Sequence, residues 1–237
     1  MPIYLPIQLT DVHEKIWSGV AWMVNVLLVD DHKLVRAGVM RILNDAPGIK
    51  VIGDVDSGEE AIRFVRQRKP DIVIMDVQMP GIGGFEATRK LLKSYPSLKI
   101  VVLSVCADEP FPSRLLQSGA VGYLTKGCSP EEIINAIKSV NKGQRYVGAD
   151  IAQHLALTFL PGAGPSSPLD SLSNRELQVM LMVAQGKKTQ EISDELCLSP
   201  KTISTYRYRL FEKLRIHSDA ELTHVALRYG LLDESHQ

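Results

Sequence analysis

What this chain of 237 residues has little of narrows the field first. It holds three cysteines, Cys106, Cys128 and Cys197, widely spaced and without a CxxC pair. Such a set argues against a disulfide framework or a structural zinc site and fits a reducing cytosol, so a cytoplasmic location is expected. The apolar runs, such as 26–29 and 100–103, fall far short of the roughly 20 residues that a membrane-spanning helix needs. Charge of one sign is not in excess either: Lys plus Arg and Asp plus Glu number 27 each. A uniformly basic coat and an acidic tail are both excluded, and any nucleic-acid surface must be a local patch. Residues 1–22 lack the basic start, long apolar core and small-residue cleavage box of a secretory signal. They read as an extension ahead of Met23, either an upstream start or a docking segment carrying Trp17 and Trp22.

What is present divides into two patterns. Over 23–146, short runs rich in Val, Ile and Leu (25–29, 50–55, 71–75, 99–104 and 122–124) alternate with amphipathic stretches (34–43, 58–67, 84–94, 111–118 and 130–141). Near-continuous apolar strands separated by helices predict a five-stranded parallel sheet, doubly wound, with its site at the carboxyl ends of the strands. Ser57 and Ser129 stand at expected helix N-caps, each with a Glu three residues on (Glu60 and Glu132) as capping-box partner. The stretch 147–168 contains L-P-G-A-G-P-S-S-P and reads as a linker. From 169 to 237 the strand pattern is gone. Four helical stretches follow (174–185, 189–197, 200–214 and 219–229), three of them preceded by Ser173, Ser199 and Ser218 as caps. This predicts a second, all-α domain of four helices.

The strand ends collect chemistry. Asp30 and Asp31 end the first strand, Asp76 the third and Ser104 the fourth, while Lys126 follows the fifth. Three converging carboxylates call for a counter-charge, which predicts a divalent cation beside the lysine. Oxygen donors without His or Cys point to Mg²⁺ rather than zinc. The set suits a phosphoryl group, with the cation and Lys126 neutralising its oxygens, Ser104 donating a hydrogen bond and one carboxylate acting as acceptor. Each residue alone has a bland reading, an Asp as helix cap or a Lys as solvated surface. Their joint placement at four strand ends outweighs it.

In the second domain, the stretch 200–214 carries Ile203, Tyr206, Leu210 and Leu214 along one stripe. Lys201, Ser204, Thr205, Arg207, Tyr208 and Arg209 occupy the rest. Between 199 and 217 there are five Lys/Arg and one Glu. A short helix, a tight turn and then a helix with one basic, hydroxyl-rich face are what a major-groove reader needs.

L-L-V-D-D-H-K-L-V-R, I-M-D-V-Q-M-P-G-I-G-G, V-V-L-S-V and G-Y-L-T-K resemble the signature segments of a response-regulator receiver domain, over the whole of 24–146. The resemblance implies that Asp76 accepts a phosphoryl group from a sensor histidine kinase. It implies Mg²⁺ held by Asp31, Asp76 and the Gln78 main-chain carbonyl, and through water by Asp30. Ser104 and Tyr123 match the switch pair, whose hydroxyl moves to the phosphoryl group while the ring follows inward, and Lys126 matches the phosphate-binding lysine. Gly127 stands where many members have proline, so the residue type that makes a cis peptide cheap is missing.

L-S-N-R-E-L-Q-V-M, A-Q-G-K-K-T-Q-E-I-S and L-S-P-K-T-I-S-T-Y-R-Y-R-L-F-E-K-L resemble the LuxR/FixJ-type helix-turn-helix. That implies base-edge contacts from Ser204, Thr205 and Tyr208, and phosphate contacts from Lys201, Thr202, Arg207 and Lys213. It also implies an inverted-repeat site in double-stranded DNA and a homodimer on phosphorylation. Tyr206 in place of a common His, with the Y-R-Y-R run, is most similar to the GacA/UvrY/LetA branch, whose members activate small regulatory RNA genes.

The expected function is therefore a phosphorylation-activated transcription regulator and not an enzyme beyond its own phosphoryl chemistry. The alternatives are an unphosphorylated binding module and a Mg²⁺-dependent aspartyl-phosphate phosphatase. Against the last, Gln78 stands where such hydrolases use a second Asp. Phosphorylation is expected to expose the reading helix and favour a dimer. Leu222, Val225, Ala226 and Tyr229 are its candidate interface, with ordinary core as the other reading of that stripe.

Overall fold

The computed structural model describes residues 23–105, 111–158, 167–196, 198–229 and 231. The extension 1–22, Cys106 and Cys197 lie outside them. The first domain is built from β1 (Val24–Val29), α1 (Lys33–Asp45), β2 (Ile49–Val55), α2 (Gly58–Gln67), β3 (Ile72–Met75) and α3 (Gly83–Ser94). It continues through β4 (Lys99–Ser104), α4 (Phe111–Gln117), β5 (Gly122–Thr125), α5 (Pro130–Asn141), β6 (Tyr146–Val147) and α6 (Ala149–Thr158). All pairings are parallel, in the order β2-β1-β3-β4-β5-β6.

Among the described residues the sheet thus has six strands where five are expected. Tyr146 and Val147 add a two-residue strand beside Gly122 and Tyr123, too short for periodicity to reveal. The stretch expected as linker from 147 is structured as far as Thr158 by α6, and Ile151 on that helix is fully buried.

Burial explains the strand composition. Every residue of β3 is buried, as are Val26, Leu27, Leu28 and Val29 of β1, because helices cover both faces. Ser129 caps α5 by accepting from the Glu132 N–H at 3.2 Å. Ser57 makes no such bond, and Glu60 pairs with Arg63 at 3.3 Å instead, so the expected capping box at α2 is absent.

The second domain begins with a 3-10 turn (Pro168–Ser171), then α7 (Asn174–Ala184), α8 (Thr189–Leu196), α9 (Pro200–Leu214) and α10 (Asp219–Arg228). Ser173 and Glu176 form a complete capping box, and Ser199 and Ser218 cap α9 and α10. Leu222 and Ala226 are fully buried within the domain core. The stripe considered as a dimer interface is therefore ordinary core at those two positions, since one face of a helix says that it is covered but not by what.

Candidate functional site

β1 and β3 lie side by side with Val29 opposite Met75. Their next residues, Asp30 and Asp76, emerge together and are 2 % and 1 % exposed. Lys126, carried past the end of β5, places Nζ 2.9 Å from Asp30 Oδ2 and 2.9 Å from Asp76 Oδ2. Burial pushes the Asp76 carboxyl up to about 6, the Asp30 charge adds to this, and Lys126 opposes it. Burial also works against the Lys126 ammonium, but the two carboxylates hold its pKa above the ordinary value.

The loop after β3 is fixed by close approach. A Cβ on Gly84 would fall 1.6 Å from the Asp76 carbonyl oxygen, so only glycine lets α3 begin there. Gly83 has φ of +68°, a second glycine requirement in the P-G-I-G-G segment. Glu59 on α2 steadies the same loop by accepting from the Ile82 N–H at 2.9 Å. The sequence reading missed Glu59, which an acidic first turn does not distinguish from a helix-dipole charge.

Asp30, Asp31, His32 and Asp76 offer donor atoms that all lie within 4.8 Å of one another. Asp31 Oδ1 is buried, and His32 Nδ1 is the neighbour it meets. One ammonium against three carboxylates leaves the pocket short of positive charge, so the residues fit a divalent cation with oxygen donors. His32, absent from the sequence-derived set, joins the cluster with Nδ1 2.9 Å from Asp31 Oδ1. The Gln78 N–H donates to Asp76 Oδ1 at 3.2 Å. Ser104 is fully buried at the end of β4, and Tyr123 is fully buried in the same apolar cluster as Val102 and Phe111.

In the second domain, Lys201, Ser204, Thr205, Tyr208 and Arg209 are exposed on α9, Thr202 is half-buried, and Ile203 and Leu210 are buried beneath them. The sequence-derived stripe and face are thus both present. Two residues of the proposed contact set are engaged at home. Arg207 donates to Thr189 Oγ1 at 2.9 Å and pairs with Asp219. Lys213 donates to the Ser171 carbonyl at 2.9 Å and to Glu176 at 2.7 Å.

The domains touch through α7. Gln178, in the middle of an otherwise apolar run, donates to the Ile82 carbonyl at 2.7 Å. Arg114 on α4 donates to the carbonyls of Leu169, Asp170 and Leu172 at 3.0, 3.2 and 2.6 Å. The exposed face of α9 is left uncovered by this docking. A polar Gln among L-Q-V-M-L-M-V was a readable signal for a buried contact, whereas nothing in the sequence singled out Arg114.

The chain matches the response regulator receiver domain family over residues 26–138 and the bacterial regulatory proteins of the luxR family over residues 170–226. It is 56 % identical over 211 residues to the response regulator GacA of Pseudomonas aeruginosa, covering 89 % of this chain and 99 % of that one. It is 54 % identical over 209 residues to the response regulator UvrY of Escherichia coli, covering 88 % and 96 %. Among solved structures it resembles RcsB of Salmonella enterica serovar Typhimurium bound to a promoter with the phosphomimetic BeF₃⁻. That match has a TM-score of 0.69 at 25 % identity and covers 85 % and 97 % of the two chains. No helix among the described residues is long and apolar enough to cross a membrane. With an acidic strand-end pocket in one domain and a helix-turn-helix in the other, the chain belongs to the two-component response regulators of the GacA/UvrY type, DNA-binding regulators of transcription.

Proposed function

We propose that Asp76 is the phosphoacceptor, that a sensor histidine kinase is the donor, and that the phosphorylated protein binds an inverted-repeat DNA site as a homodimer in the cytosol. The observation that carries this reading is the buried Asp76 carboxylate beside Asp30 and Lys126. In the transfer, an Asp76 carboxylate oxygen bonds to phosphorus as the P–N bond to the donor histidine breaks. The imidazole leaves with the electron pair and takes a proton from solvent. Asp31, Asp76 and the Gln78 main-chain carbonyl would hold Mg²⁺, with Asp30 contributing through water. That ion, when bound, neutralises the phosphoryl oxygens.

Lys126 supplies the second positive charge and Ser104 the hydroxyl that binds a phosphoryl oxygen. Tyr123 completes the pair, its ring buried beside Val102 and Phe111 where it can follow the Ser104 hydroxyl. On DNA, Ser204, Thr205 and Tyr208 face base edges, and Lys201 and Thr202 face phosphates. Arg207 and Lys213 reach phosphate only by sharing or leaving Asp219 and Glu176. Activation of small regulatory RNA genes is the output proposed from the likeness to GacA and UvrY.

The test is affinity for palindromic DNA with and without acetyl phosphate and Mg²⁺, comparing wild type with Asp76→Ala. Strengthening in wild type and none in the variant is expected. Equal strengthening in both would overturn Asp76 as acceptor.

A further inference from the structure

Charge is unevenly spread over the receiver. Residues 61–70 and 87–105 together hold eight Lys/Arg and no Asp/Glu, although the two signs balance over the whole chain. The first stretch covers the end of α2 and the turn after it, the second most of α3 and all of β4. The two helices are neighbours: Ala61 and Val65 share one apolar cluster with Ala87 and Leu91, and a Cβ on Gly58 would lie 2.8 Å from the Ala87 side chain. Their outer faces therefore form one surface. Arg63 and Arg89 pair with Glu60 and Glu86 of their own helices. Arg66, Lys69, Lys90 and Lys93 are exposed and form no salt bridge among the described residues. Asp71, the carboxylate nearest them along the chain, accepts from the Asn25 N–H at 2.7 Å. A cation at each helix C-terminus complements the dipole, but eight over two adjacent segments exceed that need.

This surface is continuous with the DNA-binding domain. Near the end of α9, Lys213 donates to Glu176 of α7 at 2.7 Å. Arg175, beside Glu176, lies 4.0 Å from Glu86 at the start of α3. Glu86, Lys90 and Lys93 follow one another at i, i+4 and i+7, so they share one stripe of α3. That stripe runs about 10 Å away from the contact with α7. We infer that Arg66, Lys69, Lys90 and Lys93 form a second DNA-contacting surface, which takes phosphates of the duplex flanking the site that α9 reads. The inference rests on reading α9 as the helix seated in the major groove. A duplex seated on α9 continues beyond the site, with one phosphate charge about every 1.7 Å of its axis. Four cations on a domain tethered to the reading helix meet those phosphates at high effective concentration. The same four alone hold random duplex only weakly, so the surface adds to binding once α9 is in place.

The test uses the full chain and a duplex selected from random sequence for binding to it. The duplex is prepared as the bare core and with about two helical turns of unrelated sequence on each side. Wild type should bind the flanked duplex about tenfold more tightly at low salt, and its plot of log affinity against log salt should be steeper by about 0.9 per phosphate contact. Two different flanking sequences should give the same gain, because phosphate contacts carry no sequence information. The fourfold variant Arg66→Gln, Lys69→Gln, Lys90→Gln, Lys93→Gln should lose the gain and the extra slope, while its affinity for the core duplex stays within about twofold of wild type. All four side chains are exposed, so its melting temperature should match wild type. The pairs Arg66→Gln with Lys69→Gln, and Lys90→Gln with Lys93→Gln, should each lose part of the slope and serve if the fourfold variant does not fold.

No flank gain in wild type, or a gain that survives the substitutions, would overturn the second surface. So would binding of wild type but not the variant to vesicles of anionic phospholipid with no flank gain on DNA, which would assign the patch to a membrane surface. Failure of the underlying reading looks different, since Tyr208→Ala would then leave affinity for the core duplex unchanged.

Discussion

The acidic pocket and the reading helix place their chemistry on opposite sides of the protein surface. Asp76 and Asp30 are 1 % and 2 % exposed, whereas Tyr208 is 63 % exposed. A buried site is shaped by the fold, so its distances are set and its proton affinities are displaced before any ligand arrives. An exposed face is shaped on contact, with hydroxyls such as Ser204 and Thr205 bonded meanwhile to the carbonyls of Pro200 and Lys201 at 3.0 and 2.9 Å. Mutations should therefore act on stability and chemistry together in the first region and on affinity alone in the second.

The sharpest break between the two comes at the acceptor. Asp76→Ala should abolish labelling by acetyl phosphate with Mg²⁺, a loss of more than about a hundredfold, while circular dichroism shows the fold retained. Labelling that survives at Asp30 or Asp31 would contradict a single acceptor.

Next in size is a pH effect confined to the buried region. Asp76 titrates at about 6 in the folded chain against an ordinary value of 3.8. Between those values the folded state holds a proton that the unfolded state has released, so stability should fall as pH rises from about 4 to 6. The two values bound the effect at about 3 kcal/mol. Denaturant unfolding in chelator-treated buffer should show this fall in wild type and a flatter curve in Asp76→Asn, which should be the more stable of the two at pH 7. Parallel curves would argue against a displaced Asp76.

Lys213→Met tests whether a residue of the DNA-binding domain belongs with the buried class. Glu176 is 3 % exposed; its burial is offset by the Lys213 hydrogen bond and the Ser173 cap, which hold its pKa below the ordinary value. Removing the half-exposed ammonium should cost about 1–3 kcal/mol, read as a lower melting temperature without DNA. A variant as stable as wild type but weaker on DNA would move Lys213 to the contact set. The smallest effect belongs to the exposed face: Tyr208→Ala should leave the melting temperature unchanged and weaken specific DNA binding by about tenfold, as measured by titration at fixed salt.

Legibility in the sequence followed the same division. Asp30, Asp76, Ser104 and Lys126 could be placed because apolar runs end in register and strand ends share one crevice. The basic face of α9 could be placed because helical period and charge coincide. Contacts between distant segments carried no local mark. Arg114 reaches three carbonyls of the other domain, and nothing in F-P-S-R-L-L-Q sets it apart from a solvated arginine. α6 was legible in principle, since Ile151 and Leu155 lie four apart, but the Pro and Gly that follow drew the whole stretch into the linker. Leu222 and Ala226 showed the limit of a stripe, which reports burial and leaves the covering partner unnamed.

The uncovered face of α9 has a kinetic consequence. The segment 169–237 carries nine Lys/Arg against ten Asp/Glu, with five of the nine between 199 and 217. A nearly neutral body with four of its nine cations on one helix, two of them paired at home with Asp219 and Glu176, feels little net pull toward a polyanion at long range, so it is not held along random duplex. Within about a Debye length the uneven charge turns the body so that this helix arrives first. Encounters are then brief, oriented and only weakly salt-dependent, and the resting protein can sample many stretches of DNA before a second copy fixes it at one.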